Sequence, residues 1–290
     1  MSPLNILLAI MAFPSLGSVT LASPIIKAKV NITTEIDFRS PSIATASAPF
    51  PKRGLAFNNA AYIQHWTGTD SQGLEFIPML WSDRADHIAV WFSNANNAIV
   101  RGSGHILSFN EPDNCTGQAC MSPQHAVDTY RKYIIPFSGR AALGAPAVTN
   151  GPGGLDWLRE FLRLCGGCQI DFVPIHWYDS ASNVAYFTRY IEEAHNAAGR
   201  RQIWLTEFNG TGNIVQQAAF MRKVMPWLDA QPYIKRYAWY WCDPYFRGGT
   251  IVQIDGYPSA LGNVYAYMPY WRRLWVAPRS RIRIEYFLVD

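Results

Sequence analysis

Short apolar runs alternate with segments of helical periodicity from about residue 51 to residue 268. Most of the apolar runs are nearly continuous, which is typical of parallel strands that are covered on both faces. The runs that we predict as strands are Gly54–Asn58, Ile63–Trp66, Leu74–Trp81, His105–Asn110, Ala141–Ala147, Ile170–Tyr178, Gln202–Phe208 and Ile234–Trp241.

Apolar residues recur at helical spacing in segments between these runs. Ser122 followed by Pro123 is a typical helix start, because serine caps free backbone N–H groups and proline fits the first helical position. The periodic positions are Ala126, Tyr130, Ile134 and Phe137; Leu155, Leu158 and Leu162; Val184, Phe187, Ile191 and Ala194; and Ile214, Ala218, Met221, Met225 and Leu228.

This alternation favours an α/β fold, a (β/α)8 TIM barrel over residues 51–268, since such barrels typically have about 250 residues. A doubly wound sheet is the alternative, but no glycine-rich phosphate loop follows a strand. The first two predicted strands are separated only by Asn59–Tyr62, too short a stretch for a crossover helix. We therefore expect the first crossover helix to be shortened or missing. Without this helix, apolar surface of the neighbouring helices would be exposed, or the N-terminal segment would fill the gap.

Composition and charge exclude several classes of protein. Charged residues make up only 16% of the chain and hydrophobic residues 49%, which excludes a disordered chain or a coiled coil. Aromatic residues reach 14%, which indicates a large core, an aromatic-lined cleft, or both. The net charge is +4, but the last twenty residues hold five arginines against two acidic residues. The rest of the chain is nearly neutral, so we expect no nucleic-acid partner.

The N-terminus has the features of an export signal. Leu4–Phe13 is an apolar run of signal-peptide length, and Thr20-Leu21-Ala22 offers a cleavage site, although no basic residue precedes the run. The run is shorter than the roughly 20 apolar residues that a membrane span needs, and no later stretch qualifies. We predict a signal peptide at residues 1–22, a flexible segment at 23–50, a folded domain at 51–268 and an unassigned basic tail at 269–290. The mature protein would be secreted, with no membrane segment.

Cysteine spacing supports an oxidising compartment. Cys115 and Cys120 form a C-x4-C pair, and Cys165 and Cys168 form a C-x2-C pair. Two loop disulfides are favoured over a four-cysteine zinc site, because a C-x4-C spacing is looser than the usual zinc knuckle. Cys242 is left over, and we expect a buried free thiol there.

Two glutamates stand where apolar strands stop. Glu111 follows the run that ends at Asn110, and Glu207 lies near the end of the run that includes Trp204. A buried carboxylate needs a partner or a role, and in a barrel these positions face the C-terminal mouth where chemistry occurs. Two carboxylates across a mouth are what glycosidic cleavage requires. The alternative is that each forms a salt bridge with an arginine at the rim.

The neighbouring strand ends carry side chains that suit a sugar. Sugar rings stack their C–H faces on aromatic rings, while their hydroxyls need polar partners. Because side chains alternate along a strand, Trp239 and Trp241 are predicted to face one side and Tyr240 the other. The candidates at strand ends are Phe57, Asn58, His65, Trp66, Trp81, His176, Trp177, Tyr178, Trp239, Tyr240 and Trp241.

Several of these segments resemble the fungal glycoside hydrolases of family 128. The matching runs are EFIPMLW, LSFNEPDNC, LGAPAVTNG, DFVPIHWYDSASNVAYF, IWLTEFNG and PWLDAQPYIKRYAWYW. The resemblance covers roughly residues 51–268, and the motifs occur in the family's order. It implies a retaining (β/α)8 enzyme that cleaves β-1,3-glucan internally, or a protein that binds this glucan.

The resemblance also implies roles for individual residues. Glu111 would be the general acid/base and Glu207 the nucleophile. Asn110 would bind the sugar's 2-hydroxyl, Tyr178 would orient the nucleophile and His176 would line the same wall. The further substrate-binding candidates are Asn58, Trp66, Trp81, Trp239 and Trp241. Cys165 and Cys168 match a family pair, which favours a disulfide.

We therefore expect a secreted, monomeric endo-β-1,3-glucanase that needs no cofactor or metal. Double displacement requires Glu111 to hold a raised pKa while Glu207 stays ionised. The alternatives are a cell-wall β-1,3-glucan-binding protein with little catalysis and a glucan transglycosylase. A chitinase is disfavoured, because no DxxDxDxE run ends a strand. The shortened first repeat, Cys242 after Trp241 and the basic tail depart from the family pattern.

Sequons for N-glycosylation begin at Asn31, Asn114 and Asn209. Asn31 is the most accessible candidate, because it precedes the folded domain. The other two lie close to the glutamates, so we expect at least Asn209 to be unmodified.

Overall fold

The computed structural model describes residues 52–57 and 74–268, together with the backbone of one strand at Leu7–Met11. The described chain alternates strands with helices. The strands are β1 Leu7–Met11, β2 Arg53–Phe57, β3 Leu74–Ile77, β4 His105–Ile106, β5 Ala142–Leu143, β6 Phe172–Ser180, β7 Gln202–Thr211 and β8 Ile234–Trp239. The helices are α1 Ala85–Val100, α2 Pro123–Tyr133, α3 Gly154–Leu164, α4 Val184–Ala197, α5 Ile214–Ala230 and α6 Ala260–Tyr267.

The strands pair as a ring-like, mostly parallel sheet. One sheet has the order β3-β1-β2-β8-β7-β6, and β4 pairs with β5 in parallel. Single parallel bridges connect the two sheets, Met79 to Leu107 on one side and Gly144 to Phe172 on the other. This order places the C-terminal ends of β4, β6 and β7 at one mouth.

The first repeat departs from the regular pattern, as its short spacing predicts. The segment that contains the predicted strand Ile63–Trp66 lies outside the described residues. Between β2 and β3 lies the backbone of β1, antiparallel to both. An N-terminal strand therefore occupies this position, but it belongs to the predicted signal peptide. Cleavage after Ala22 would remove it from the mature protein.

Three of the described helices begin at a capping side chain. The Ser122 hydroxyl accepts a hydrogen bond from the His125 N–H at the start of α2. Asn213 and Gln216 form a capping box at the start of α5, and Ser259 caps α6. Helices α1 and α6 were not predicted from the sequence.

Two hydrophobic clusters fill the molecule. The larger one packs the helices against the outward faces of the strands and includes Trp177, Phe187, Phe208, Phe220 and Trp239. The smaller one is drawn only from the strands and the residues that follow them, and it fills the inside of the ring. Its members are Ala56, Ile77, Leu107, Phe172, Trp204, Ala238 and Trp241.

Both predicted disulfides are present. Cys115 pairs with Cys120 and Cys165 pairs with Cys168. Cys242 is a buried free thiol, as expected. Among the described residues, no helix has the length and apolarity to cross a membrane.

An ionic cluster closes the end of the ring opposite the mouth. The Glu75 carboxylate of β3 accepts hydrogen bonds from Arg236 of β8 at 2.7 Å and pairs with His105 of β4 at 2.6 Å. The Arg236 guanidinium also lies over the Trp204 ring. Burial raises the pKa of Glu75, but the His105 hydrogen bond and the Arg236 charge outweigh it and bring the pKa to about 2.

Glu75→Gln should destabilise the fold by about 1–3 kcal/mol, because it removes a half-buried charge-assisted interaction. The pKa of Glu75 is depressed on folding, so its contribution is present above pH 4.5 and is lost as the pH falls toward 2. Urea unfolding at pH 7 and pH 3 measures the difference.

The matched control for this experiment is Glu160→Gln, which removes an exposed carboxylate paired with Arg163 on the surface of α3. This control should leave the urea midpoint unchanged. A Glu75→Gln midpoint equal to that of the native protein at pH 7 would show that the cluster adds no stability.

Candidate active site

Glu111 is held at the mouth by its backbone as much as by its side chain. Its N–H donates to the Ala147 carbonyl at 2.8 Å, and the Asn110 N–H donates to the Trp81 carbonyl at 2.9 Å. Glu111 has a φ of 45°, an uncommon conformation for a residue with a side chain. These bonds to the adjacent chain segments fix the conformation, so the carboxylate has a defined direction.

Glu207 is directed by an irregularity in β7. On β6, Ile175 and His176 are consecutive, but their partners on β7 are Leu205 and Glu207. Thr206 is therefore an extra residue, and the β7–β8 register shifts over the same stretch. A bulge of this kind re-aims the side chains beside it. Here it allows both Thr206 and Glu207 to line the inside of the ring.

His176 joins the two carboxylates. Its Nδ1 lies 2.8 Å from Glu111 Oε1 and 3.5 Å from Glu207 Oε2. Within this trio, one oxygen of Glu111 and one of Glu207 lie no more than 4.8 Å apart. Glu111, His176 and Glu207 are 7%, 1% and 8% exposed, so water screens their interaction weakly.

Tyr178 completes the set from the same strand as His176. Its hydroxyl donates to Glu207 Oε2 at 2.6 Å, and its backbone N–H donates to Asn150 Oδ1 at 3.0 Å. The carboxylate of Glu207 therefore has a fixed orientation in the mouth.

On each of the two glutamates, burial raises the pKa and the charge of His176 lowers it. Burial raises the pKa of Glu207, and the His176 charge and the Tyr178 hydrogen bond oppose it only in part. Burial also raises the pKa of Glu111, but the hydrogen bond and charge of His176 outweigh it, so the pKa is lowered. Burial lowers the pKa of His176, but Glu207 and Glu111 together raise it above its usual value.

The expectation of a raised pKa at Glu111 is therefore wrong for the free site. The reason is the hydrogen bond between His176 and Glu111. The sequence indicated only that His176 lines the same wall of the site. The raised pKa of His176 and the lowered pKa of Glu111 favour a proton on His176, whose Nδ1 lies 2.8 Å from Glu111 Oε1.

The three side chains are spaced closely enough for a metal ion. The hydrogen bonds among them and to Tyr178 account for their burial without one. Two close carboxylates are the arrangement that proton transfer and nucleophilic attack at a glycosidic bond require.

The chain is similar to known glycoside hydrolases. The family model described as "Glycosyl hydrolase catalytic core" matches residues 55–265. A curdlan-specific exo-β-1,3-glucanase of family 128 from Blastomyces gilchristii is 36% identical, with a TM-score of 0.66 over 75% of this chain and 98% of that one. A family 128 endo-β-1,3-glucanase from Amycolatopsis mediterranei is 28% identical, with a TM-score of 0.60 over 74% and 98%.

The chain belongs to glycoside hydrolase family 128. These structural matches confirm the predicted α/β barrel class. Among curated proteins, alkali-sensitive linkage protein 1 of Schizosaccharomyces pombe is 28% identical over 194 residues, or 62% of this chain. The chain spans only 35% of the length of that relative.

Three of the predicted aromatic and amide side chains lie near the family 128 glutamates. Trp81 is half-buried beside the chain segment of Asn110. Trp241 is 8% exposed and belongs to the cluster inside the ring. The Asn110 side chain donates to Gln118 Oε1 at 2.9 Å, which ties it to the loop of the Cys115–Cys120 disulfide. These side chains remain candidates for binding a sugar.

Trp239 must be removed from the candidate set. It is fully buried, its Nε1 donates to the Gly249 carbonyl, and its ring packs edge-on against Phe208. The predicted alternation fails because β8 ends at Trp239, so Trp239 and Trp241 lie in different clusters. Tyr240, which sequence reasoning left undecided, instead packs edge-on against Tyr178 at 5.5 Å. Burial and the charges of Glu207 and Glu111 raise the pKa of Tyr240 to about 12.

The remaining candidates are placed as follows. Asn58 and Trp66 lie outside the described residues. Asn209, which begins a sequon, is buried and donates from Nδ2 to the carbonyls of Tyr240 and Gly248. Its side chain is therefore committed to holding the loop after β8, in line with the expectation that it carries no glycan.

The pH dependence of the enzyme should show the titration of His176. The pKa of His176 is raised above 6.5, so kcat/KM should fall as the pH rises through this higher value. His176→Asn keeps a donor but cannot titrate, so the alkaline limb should change and kcat should fall about 10- to 100-fold.

The matched control for the pH profile is His195→Asn, because His195 stacks on Tyr233 on the outside of the barrel. Its profile should equal that of the native protein. If His176→Asn also retained the native alkaline limb, His176 would not carry the proton.

Proposed function

We propose that this protein hydrolyses β-1,3-glucan with retention of configuration, using Glu207 as nucleophile and Glu111 as acid/base. The observation that carries this proposal is the distance of at most 4.8 Å between oxygens of the two carboxylates. Retaining enzymes hold the two carboxyl groups about 5–5.5 Å apart, whereas inverting enzymes need about 6.5–9.5 Å to admit a water. The short distance therefore supports direct attack by Glu207.

Each residue has one task in the first step. The Glu207 carboxylate attacks the anomeric carbon, and the bond from that carbon to the bridging oxygen breaks. Glu111 gives its proton to this oxygen, so the leaving sugar departs with a hydroxyl group. In the second step water attacks the anomeric carbon, its proton passes to Glu111, and Glu207 is released as a carboxylate.

The acid's proton comes from the pair that Glu111 forms with His176. In the free site this proton resides on His176, since the pKa of His176 is raised and that of Glu111 is lowered. A substrate that displaces water from the mouth further disfavours the ionised carboxylate. The proton then moves along the 2.8 Å bond from Nδ1 to Glu111 Oε1, and the total charge of the site stays the same.

A neutral β-1,3-glucan suits the surroundings of the glutamates. Trp81 and Tyr240 offer half-buried aromatic surface, and the Tyr178 hydroxyl offers a polar group. The two structural relatives quoted above are β-1,3-glucanases, and the Amycolatopsis mediterranei enzyme is in complex with laminaritriose.

Cleavage inside the glucan chain is our proposal from the sequence resemblance. Cleavage from the chain end is the second candidate, favoured by the 36% identity to the Blastomyces gilchristii exo-enzyme. The close pair of carboxylates argues against a role in glucan binding alone. A binding surface does not need two carboxylates that are buried together with His176. Transglycosylation would use the same intermediate, with a sugar in place of water.

We also propose that the protein acts outside the cell, as a monomer. The two disulfides fit an oxidising compartment. The apolar run Leu4–Phe13 fits a signal peptide, and the mass of the secreted protein tests its removal.

Substitution of either glutamate by glutamine tests the catalytic assignment. Glu207→Gln should lower kcat on laminarin by roughly 10⁴-fold or more, because it removes the nucleophile. Glu111→Gln should lower it by about 10²- to 10⁴-fold, the usual contribution of an acid/base. Release of reducing ends measures both.

Binding of laminari-oligosaccharides by Glu207→Gln should stay measurable by calorimetry, since the aromatic surface is intact. Glu160→Gln on the outer helix α3 is the matched control and should keep full activity. Full activity of Glu207→Gln would disprove the assignment, and an inactive native protein that still binds glucan would favour the binding role.

The products formed early in the reaction distinguish the two cleavage modes. An endo-enzyme should lower the viscosity of a soluble β-1,3-glucan quickly and release oligosaccharides of several lengths. An exo-enzyme should release one small sugar with little change in viscosity. Products longer than the starting oligosaccharide, at high substrate concentration, would indicate transglycosylation.

A further inference from the structure

A small polar cavity lies inside the ring beneath the catalytic pair. Its volume is about 10 Å³, close to the space that one water molecule needs. Apolar side chains from β2 and the segment after β3 close one part of it. The polar residues that line it are Ser108, Asn110, His176, Thr206 and Glu207.

Two polar atoms in the lining lack partners. Thr206 Oγ1 and Asn110 Oδ1 are buried and have no hydrogen-bond partner among the described residues. Thr206 and Asn110 are each 4% exposed. A buried polar atom without a partner destabilises a protein, so two in one cavity call for a shared partner.

Several other polar atoms of the lining have partners. The Ser108 hydroxyl donates to the Gly144 carbonyl, and the Asn110 amide nitrogen donates to Gln118. His176 Nδ1 bonds Glu111, and Glu207 Oε2 accepts from Tyr178. Thr206 Oγ1 and Asn110 Oδ1 are the buried side-chain atoms of the lining that lack a partner among the described residues.

The bulge in β7 is what places Thr206 here. In a regular strand the residue before Glu207 would face away from the interior. Because Thr206 is the extra residue of the bulge, both it and Glu207 face the cavity. A residue that only packed the interior would not need a hydroxyl, so the hydroxyl of Thr206 calls for a polar partner.

We propose that this cavity holds one structural water that accepts a hydrogen bond from Thr206 and donates to Asn110 Oδ1 and Glu207. The water makes three hydrogen bonds, the usual number for a buried water. Thr206 is thus a positioning residue, because it acts on Glu207 through the water. The catalytic consequence rests on the proposed function of Glu207 as nucleophile, whereas the water site itself does not.

The water should favour the charged form of Glu207. The titratable groups that face this carboxylate are Glu111 from the end of β4, His176 and Tyr178 from β6, and Tyr240 after β8. None of them is altered when Thr206 is changed. A loss of the water should therefore raise the pKa of Glu207 and move the acid limb of kcat/KM to higher pH.

Thr206→Val, which keeps the shape and removes the hydroxyl, is the test variant. We expect kcat/KM at neutral pH to fall about tenfold and the acid limb to move up by about 1 pH unit. Thr206→Ser should restore both, because it returns the hydroxyl. Thr188→Val is the matched control, since the Thr188 hydroxyl bonds carbonyls of its own helix α4.

A crystal structure at high resolution provides a test that does not depend on activity. We expect density for one water within hydrogen-bond distance of Thr206 and Asn110 in the native protein, and its loss in Thr206→Val. An empty cavity in the native protein would overturn the proposal, as would an unshifted acid limb in a folded Thr206→Val variant. An inactive native protein that holds the water would refute the proposed function and leave the water site standing.

Discussion

The mouth of this barrel depends on one buried histidine between two buried carboxylates. Glu111 and Glu207 are brought so close that two negative charges would repel each other strongly in a medium with little water. His176 lies within 3.5 Å of both, and their charges raise its pKa, which favours a positive charge between them. Without that charge, each carboxylate would disfavour the ionised form of the other.

Several features of the fold serve this contact. The unusual φ of Glu111 and its bond to the Ala147 carbonyl bring the first carboxylate inward. The extra residue Thr206 directs the second carboxylate to the same point from β7. Tyr178 then fixes Glu207 Oε2, the oxygen that lies 3.5 Å from His176. The site therefore combines Glu111 from the segment after β4, Glu207 from β7, and both His176 and Tyr178 from β6.

Much of this arrangement could be predicted from the sequence, because it depends on local patterns. Apolar runs that end in Glu111 and Glu207 indicated strands whose ends meet at one mouth, and cysteine spacing indicated the two disulfides. Features that depend on tertiary contacts could not be read in this way. A bulge leaves no mark in the alternation of residues, so the inward direction of Thr206 beside Glu207 was not foreseen. Trp239 was misplaced because the end of β8 is set by packing against Phe208.

The electrostatic balance of the site was the second feature hidden from the sequence. A carboxylate at a strand end indicates a functional group, but the direction of its pKa depends on partners from other strands. His176 comes 65 residues after Glu111, and only the fold brings its Nδ1 to that oxygen. The structure also explains the excess of aromatic residues. Most of these rings form the core, whereas Trp81, Tyr240 and Trp241 lie near the glutamates.

Retention of configuration is the most direct test of the proposed double displacement by this close pair of carboxylates. Proton NMR of the first minutes of hydrolysis of a laminari-oligosaccharide reports the anomer that the enzyme releases before mutarotation. Attack by Glu207 followed by attack of water should give the β-anomer first. Initial release of the α-anomer would contradict the double displacement and require a water between the two glutamates.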